Sequence, residues 1–359
     1  MRDKVRLAIV GTGGVANAHA QAHRHNADAV EIVALADIVP GKAAEFARRH
    51  GLTTATLCEH YEEALALPAV DAIDICLVPE VHGPAALAAL EAGKHVLCEK
   101  PMALSLAEAR QMSDRASATG LVNMVDFTYR YYPVARFVRR LIDEGDLGEI
   151  VRVRSQYIMQ VPAHWASRPV NTTSPALNII GDLGSHVIDL LRFFAGEIVS
   201  VSGQHRVKPG RGESADAIVE FASGATGSVE ASSVVTDRSG HFRRVEVHGT
   251  TGAATIDYFR PGIVQLYLRG GIAAHLPGGV TTVRVPGVAW GEQCTDEIEH
   301  LAWVEGLANA SKLFAQGVAG QRDAAVATFY DGYRAQVVME AIAESSATGN
   351  RVMVAPPSA

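Results

Sequence analysis

Hydrophobic residues in the first 126 positions fall into short continuous runs, each followed by a helix-like segment. The runs are Val5–Val10, Ile32–Ala36, Val70–Val78, His95–Cys98 and Leu121–Asp126. Runs of this length without polar alternation are typical of strands buried on both faces of a parallel sheet. Their alternation with helices predicts a doubly wound α/β domain.

The pattern changes after Phe127, where polar and apolar residues alternate, as in Val151–Arg154. This alternation predicts antiparallel strands with one less buried face. The predicted strands lie at 150–159, 197–206, 215–222, 225–234, 243–248, 253–258 and 263–269. Further helices are expected at 178–194, 296–316 and 321–347. The change of pattern predicts two domains, 1–126 and 127–359.

Composition and charge narrow the class of protein. The 359 residues carry a formal net charge of −7 and no lysine- or arginine-rich block, which disfavours a nucleic-acid partner. No apolar run is long enough to span a bilayer, and the first residues lack a signal-peptide pattern. The four cysteines are scattered without zinc spacing. We therefore expect a cytoplasmic protein with no metal site and no membrane partner.

A glycine-rich turn joins the first strand to a predicted helix. It has the pattern G-x-G-x-x-A, in which the first glycine permits a tight turn and the second lets the backbone approach a pyrophosphate. The helix amino terminus supplies hydrogen-bond donors for that anion. The six residues are Gly11, Thr12, Gly13, Gly14, Val15 and Ala16.

An acidic residue, Asp37, ends the second strand, at the position where dinucleotide-binding folds bind the ribose hydroxyls. Ile38 follows, and no nearby arginine or serine is available to hold a 2′-phosphate. The carboxylate would also repel that phosphate, so the sequence predicts NAD in preference to NADP. The alternative is a glycine-rich turn beside an unrelated surface aspartate.

A Glu99–Lys100–Pro101 segment follows the strand His95–Cys98. Open α/β sheets bind ligands at the carboxyl ends of their strands, so these charges are expected at a ligand crevice. Pro101 restricts the residue before it, and the sequence leaves open whether the peptide bond is cis. The alternative is a solvated strand end.

A second polar constellation lies in a predicted helix, where Asp182 and His186 are four residues apart and share a face. A His–Asp pair suits general acid–base chemistry near neutral pH. A core histidine neutralised by a carboxylate is the alternative, and no metal-binding spacing supports a metal site. The preceding polar loop at 160–177 contains His164 and Trp165, and Trp165 offers an apolar face for a sugar ring or for packing.

These motifs together resemble the glucose–fructose oxidoreductase/inositol dehydrogenase (Gfo/Idh/MocA) family. The matching pieces run in order over nearly the whole chain. They are Gly11–Ala16 with His19, Asp37, Pro79 with His82, Ala92–Val96 with Glu99–Pro101, Arg130 with Pro133, Gly145–Gly148, and Asp182–His186 with Asp189.

The resemblance implies an NAD-binding Rossmann domain and a C-terminal α/β domain with a large, mostly antiparallel open sheet. In the family this domain binds substrate, and its sheet commonly forms the subunit interface, so a homodimer or homotetramer is expected. The resemblance also implies a sugar, sugar derivative or inositol as substrate. One departure is Leu177–Asn178, where the family often has two glycines; these side chains should reshape the substrate pocket.

The resemblance also implies roles for individual residues. Lys100 is the expected catalytic lysine, and Asp182 and His186 form the expected catalytic pair. The expected cofactor contacts are Gly11, Thr12, Gly13, Gly14, Val15, Ala16, Asp37, Ile38, Pro79, His82, Glu99 and Lys100. The expected substrate contacts are Lys100, Arg130, His164, Trp165, Asn178, Asp182 and His186.

Three functions remain open on the sequence. The first is an NAD-dependent dehydrogenase that oxidises a secondary hydroxyl of a cyclic sugar or polyol. The second is a lyase or glycosidase that uses the hydride transiently and accumulates no NADH. The third is a non-enzymatic NAD- or sugar-responsive binding protein, which the combination of Lys100, Asp182 and His186 disfavours.

Overall fold

The structure is a computed structural model that describes residues 4–159, 174–208, 212–234, 241–270, 278–286 and 296–355. The chain divides into two compact units. The first comprises Met1–Thr128 with Trp303–Arg334, and the second comprises Tyr129–Ala302 with Ala335–Ala359. The sequence assigned the segment 303–334 to the second domain, whereas its contacts belong to the first unit.

The first unit is built on a six-stranded parallel sheet. Its strands are β1 (Val5–Val10), β2 (Val30–Ala36), β3 (Thr56–Cys58), β4 (Ala72–Ile75), β5 (His95–Cys98) and β6 (Asn123–Val125). Its first five helices are α1 (Gly14–His25), α2 (Lys42–His50), α3 (Tyr61–Ala66), α4 (Pro79–Glu91) and α5 (Leu106–Thr119). The strand order is β3-β2-β1-β4-β5-β6. The order reverses between β1 and β4, which is where doubly wound sheets bind their ligands.

Helix α4 starts earlier than the sequence predicts, whereas the burial of the central strands agrees with the prediction. Helix α4 begins at Pro79, whereas the sequence pattern predicts a helix over Pro84–Ala92. Proline is well tolerated in the first helical turn, where its missing N–H has no helical partner, so Pro79 opens the helix and Pro84 lies inside it. The apolar residues of the central strands are buried, as the apolar runs predicted; Leu7, Ile9 and Ile73 have no exposed surface.

Residues from the C-terminal third complete the first unit because they cover an apolar face of α1. Ala18 and Ala22 on α1 form a buried cluster with Val304 and Leu307. These two residues belong to α8 (Asp296–Val318). The backbone N–H of Val125 in β6 donates a hydrogen bond to the carbonyl oxygen of Ala327, at 2.8 Å.

The second unit contains a nine-stranded sheet. The strands are β7 (Ile150–Met159), β8 (Ile198–Lys208), β9 (Gly212–Phe221), β10 (Thr226–Ser232), β11 (His241–Gly249), β12 (Gly252–Asp257), β13 (Ile263–Leu268), β14 (Gly279–Arg284) and β15 (Val352–Met353). The order is β14-β13-β12-β11-β7-β10-β9-β8-β15. All neighbours pair antiparallel except β7 and β10, which are parallel. The remaining helices are α6 (Pro133–Asp143), α7 (Ser185–Ala195) and α9 (Phe329–Thr348).

The two faces of this sheet differ in burial, as the alternating pattern predicted. In β9, Ala215, Ala217 and Val219 are buried, whereas Asp216 and Ile218 are exposed. Helix α7 packs on β7 and β10. The opposite face carries Ile218 with 55% of its surface exposed. None of the helices in the described part of the chain is long and apolar enough to cross a membrane.

Candidate active site

The segment after β5 is held by hydrogen bonds on both sides of its proline. The backbone N–H of Lys100 donates to Glu99 Oε2 at 2.9 Å, and the Lys100–Pro101 peptide bond is cis. His82 in α4 lies between two carbonyls, with Nδ1 2.9 Å from Pro101 O and Nε2 3.0 Å from Leu77 O. His82, predicted as a cofactor contact, is buried and links this turn to the end of β4.

A buried network of charged side chains lies behind Glu99. His19 on α1 places Nδ1 2.8 Å from Asp74 Oδ2 and Nε2 3.0 Å from Glu99 Oε1. The same Nε2 lies 3.4 Å from Asp126 Oδ2. His23, one helical turn further, places Nε2 2.8 Å from Asp74 Oδ2. The two histidines come from α1, and the three carboxylates lie in or directly after the carboxyl ends of β4, β5 and β6, next to the predicted ligand crevice.

Burial and neighbouring charges oppose each other in this network. Burial acts to lower the pKa of His19, but the facing carboxylates, Asp74 first, outweigh it and raise that pKa well above its ordinary value. Burial likewise acts to raise the pKa of Glu99, but the hydrogen bond and charge of His19 and the charge of Lys100 lower it. Burial, together with the charges of Glu99 and Asp74, raises the pKa of Asp126 to about 6. The network therefore favours a charged imidazolium between carboxylates.

These groups also have the chemistry of metal ligands. Ligand atoms of His19, His23 and Asp74 lie within 4.8 Å of one another, as do those of His19, Glu99 and Asp126. The histidines are, however, joined to Asp74 and Glu99 by N···O contacts of 2.8–3.0 Å, and Asp126 lies 3.4 Å from His19. A metal ion would have to displace these ion pairs, so the geometry favours a hydrogen-bonded network over a metal centre.

The glycine turn has the space and donors that a dinucleotide requires. Gly11 has φ +86°, and a Cβ there would lie 2.6 Å from the carbonyl oxygen of Cys76, so a side chain does not fit. A Cβ at Gly13 or Gly14 would meet no described atom within 4 Å. Gly13 caps α1, and no side chain within the described residues caps this end. The uncapped amino terminus of α1 and the space beside Gly13 and Gly14 therefore suit a phosphate.

Asp37 is fixed beside this turn. Its Oδ2 accepts from the backbone N–H and the hydroxyl of Thr12, and its Oδ1 accepts from the backbone N–H of Val39. Burial acts to raise its pKa, but the Thr12 hydroxyl, these backbone donors and Lys42 lower it below its ordinary value. Lys42 Nζ lies 3.4 Å from Asp37 Oδ2; the sequence analysis overlooked this cation. An ionised Asp37 beside the glycine turn suits ribose hydroxyls, and these residues fit NAD.

The helix predicted at 178–194 begins with a π-helical turn. Asn178 Oδ1 accepts from the backbone N–H of Ile180 at 2.8 Å, which starts the turn Ile180–Gly184. A Cβ at Gly181 would lie 2.2 Å from the carbonyl oxygen of Ala176, so only glycine fits there. Asp182 lies in this π-turn and is half-buried. π-turns are rare and frequent at functional sites.

His186 is the second residue of the regular helix α7 and lies against aromatic rings. Its ring centroid is 4.6 Å from that of Tyr129 and 6.2 Å from that of Tyr157. The Arg243 guanidinium stacks on both tyrosines, at 4.7 Å and 4.4 Å from their centroids, and donates to the Tyr129 hydroxyl at 2.7 Å. Arg243 also pairs with Glu299. These neighbours lie on separate elements, with Tyr129 in a 3-10 turn, Tyr157 on β7 and Arg243 on β11, so no local sequence pattern joins them.

Arg130, a predicted substrate contact, is only 3% exposed. Its Nε donates to Asp189 Oδ2 at 2.9 Å, and a second nitrogen pairs with Asp189 Oδ1. Asp189 also belongs to α7, so this bidentate pair ties Arg130 to the helix of His186. Substrate binding by Arg130 stays a prediction. His164 and Trp165 lie outside the described residues.

Comparison with known proteins identifies the family. Residues 5–127 match the oxidoreductase family with an NAD-binding Rossmann fold (GFO_IDH_MocA), and residues 135–255 match the GFO/IDH/MocA C-terminal domain. The chain is 32% identical to scyllo-inositol 2-dehydrogenase (NAD(+)) of Bacillus subtilis strain 168, over 72% of this chain and 76% of that protein. The chain therefore belongs to the Gfo/Idh/MocA oxidoreductase family.

Two further comparisons extend over nearly the whole chain. Levoglucosan dehydrogenase of Pseudarthrobacter phenanthrenivorans is 28% identical, over 96% of both chains. A solved structure of levoglucosan dehydrogenase in complex with NADH has a TM-score of 0.85 at 26% identity, and covers 98% of this chain and 99% of that one. The predicted family, fold class, NAD cofactor and dehydrogenase class are confirmed.

Proposed function

We propose that the protein is an NAD-dependent dehydrogenase that oxidises a secondary hydroxyl of a cyclic sugar, sugar derivative or inositol to the ketone, or catalyses the reverse reduction. The observation that carries the proposal is the turn at Lys100, held by Glu99 at the carboxyl end of β5 in the sheet that also bears Asp37 and the glycine turn. The named relatives act on levoglucosan and scyllo-inositol, both cyclic polyhydroxy compounds.

The proposed cofactor contacts fall into two groups, one for the adenosine half and pyrophosphate of the dinucleotide and one for its nicotinamide half. The backbone of Gly11–Ala16 binds the pyrophosphate, and Asp37 accepts hydrogen bonds from the adenosine ribose. Ile38, with 73% of its surface exposed, offers an apolar surface beside that ribose. Pro79, His82, Glu99 and Lys100 serve the nicotinamide half. Bound NAD supplies the acceptor for the hydride.

The protein supplies the proton transfer and the electrostatics. We assign His186 as the general base that removes the hydroxyl proton. Lys100 donates a hydrogen bond to the developing alkoxide, where a fixed positive charge is most effective. Asp182 orients the imidazole or binds a neighbouring hydroxyl. Removal of one such donor typically costs about 3–4 kcal/mol of transition-state stabilisation.

The remaining proposed substrate contacts differ in how the structure supports them. Asn178 starts the π-turn that carries Asp182, and Arg130 is paired with α7. Both therefore act at least by shaping the segment that bears Asp182 and His186. His164 and Trp165 are proposed as direct contacts from their residue types alone.

We further propose that the protein assembles as a homodimer or homotetramer through the less buried face of the nine-stranded sheet. That face carries exposed apolar residues, with Ile218 on β9 and Tyr267 on β13 among them. Such surfaces on a broad sheet are commonly covered by a second subunit.

A substrate screen tests the proposed function. Purified protein with NAD is tested against sugars, glycosides, anhydrosugars and inositols, while NADH absorbance is followed and the sugar product is analysed. We expect NADH and a ketone in equal amounts. Consumption of the sugar without NADH would instead indicate transient redox chemistry, and NAD binding without any turnover would indicate a binding protein.

A further inference from the structure

One carboxylate, that of Glu99, joins a buried histidine to the backbone of Lys100. Glu99 Oε1 lies 3.0 Å from His19 Nε2, and Glu99 Oε2 accepts from the backbone N–H of Lys100 at 2.9 Å. Glu99 is 8% exposed and His19 is 1% exposed, so water contributes little to holding either group. The orientation of Glu99 therefore depends on His19 on one side and constrains Lys100 on the other.

His19 carries acceptors on both ring nitrogens. Asp74 Oδ2 faces Nδ1 at 2.8 Å, and Glu99 Oε1 faces Nε2, with Asp126 Oδ2 at 3.4 Å from the same nitrogen. Ionised carboxylates only accept hydrogen bonds, so both nitrogens must donate and the ring is an imidazolium. Charge-assisted hydrogen bonds are shorter and stronger than neutral ones, so His19 fixes Glu99 firmly.

We propose that His19 is a positioning residue for Lys100: its imidazolium fixes the Glu99 carboxylate, and Glu99 fixes the backbone of Lys100 before Pro101. The inference rests on the proposed role of Lys100 in the reaction. His19 lies on α1, whose amino terminus carries the glycine turn. The same side chain thus couples the cofactor-binding helix to the turn that bears Lys100.

His23 provides a matched control. It lies on the same helix, is 2% exposed, and contacts the same Asp74 Oδ2 at the same 2.8 Å. Its other nitrogen, however, lies 2.8 Å from the hydroxyl of Ser311. A substitution of His23 therefore disturbs the same buried network without touching Glu99, which separates loss of stability from loss of positioning.

Asparagine and glutamine variants of each histidine test the inference. An asparagine amide replaces the Nδ1 donor, and a glutamine amide replaces Nε2. We expect His19→Asn to lower kcat by about 10²-fold, because small misplacements of catalytic groups have effects of this size, with KM and NADH affinity changed by less than about threefold. His19→Gln retains more kcat, because it keeps a donor towards Glu99. Both His23 variants keep kcat within about twofold of wild type.

A second readout does not depend on turnover. Lysines are reductively methylated with ¹³C-formaldehyde, and the Lys100 resonance is identified by its absence in Lys100→Met. We expect this resonance to shift in His19→Asn and to stay in place in His23→Asn. Circular dichroism and NADH fluorescence titration confirm that each variant is folded. If His19→Asn does not fold, His19→Ala and His23→Ala give the same comparison, because His19→Ala also removes the donor towards Glu99.

Equal losses of kcat in the His19 and His23 variants, with an unmoved Lys100 resonance, would overturn the inference and leave a purely structural role for His19. A wild-type protein that reduces no NAD with any sugar or polyol would instead contradict the proposed function. In that case the resonance comparison still decides whether His19 positions Lys100. The two failures are therefore distinguishable.

Discussion

Both hydrogen-bond donors of Thr12 converge on one oxygen of Asp37. The backbone N–H lies 2.9 Å and the hydroxyl 2.6 Å from Oδ2. This contact joins the glycine turn after β1 to the carboxylate after β2. It holds Asp37 ionised beside the space left open at Gly13, which is the basis of the cofactor preference.

We predict a clear preference for NAD over NADP, measured as the ratio of kcat/KM values, because Asp37 repels a 2′-phosphate. The double change Asp37→Ser with Ile38→Arg should move this ratio towards NADP by about tenfold or more, which corresponds to about 1.4 kcal/mol. Lys42 should contribute, since loss of Asp37 removes its neighbouring carboxylate. Adding Lys42→Met should therefore reduce the gain. Comparable kcat/KM values of the wild type with the two cofactors would contradict the prediction.

Much of the fold could be predicted because the hydrophobic patterns that specify its strands lie within short stretches of sequence. The apolar runs predicted the buried parallel strands, and the two-residue alternation in β9 predicted a sheet with one less buried face. Strands β3, β14 and β15 were missed. Strand β3 has only three residues, of which only Cys58 is buried. Every residue of β14 is partly or fully exposed, and β15 has only two residues, so neither has an apolar pattern.

The sequence indicates residues of the candidate site only where they form a motif. The glycine turn, Asp37, Glu99–Lys100 and Asp182–His186 are contiguous or closely spaced. The network behind Glu99 joins His19 to residues 55 and 80 positions away, and no local pattern reports such contacts. Asp74 could have indicated this network, because it is an acidic residue inside an apolar, fully buried strand and a buried charge requires partners.

The proposed catalytic groups, Lys100 and His186, should behave as one unit. Lys100→Met removes the charge but keeps much of the bulk, and His186→Ala removes the base, so each should lower kcat by about 10²–10⁴-fold while NADH still binds. The double variant should be little worse than either single variant, because residues that act together are strongly non-additive. The base limb of the pH profile of kcat/KM should disappear in His186→Ala. Additive losses in the double variant would contradict a joint role.

The buried imidazolium predicts a pH dependence of stability. The folded-state pKa of His19 is raised above its unfolded value, because the facing carboxylates, Asp74 first and then Asp126, outweigh burial. Its stabilisation is therefore fully present below about pH 6.5 and is lost as the pH rises through the folded-state pKa.

Urea unfolding of wild type and His19→Gln measures this effect. The difference in free energy of unfolding should be largest near pH 6 and should narrow at alkaline pH. His23 and the thiol of Cys76 also face this network, and burial raises the pKa of Cys76 to about 12, so it stays protonated over this range. His23→Gln should keep the alkaline loss of stability. A pH-independent difference for His19→Gln would contradict a charged His19.

Assembly should depend on the less buried sheet face. Light scattering should show a dimer or tetramer at micromolar concentration, and Ile218→Lys should weaken it because a charge would replace an apolar contact. NADH affinity should be unchanged in this variant. Leu106→Lys, at an exposed apolar position at the start of α5, is the matched control and should leave assembly intact. A wild-type monomer would contradict the proposed interface.

The most direct test of the account is the stoichiometry of NADH and oxidised product. Wild-type protein is incubated with excess NAD and the best substrate of the screen, while NADH absorbance and ketone formation are measured in the same sample, with Lys100→Met in parallel. The account predicts one NADH for each ketone, and a rate at least about 10²-fold lower in Lys100→Met. Sugar turnover without NADH, or near wild-type turnover by Lys100→Met, would contradict it.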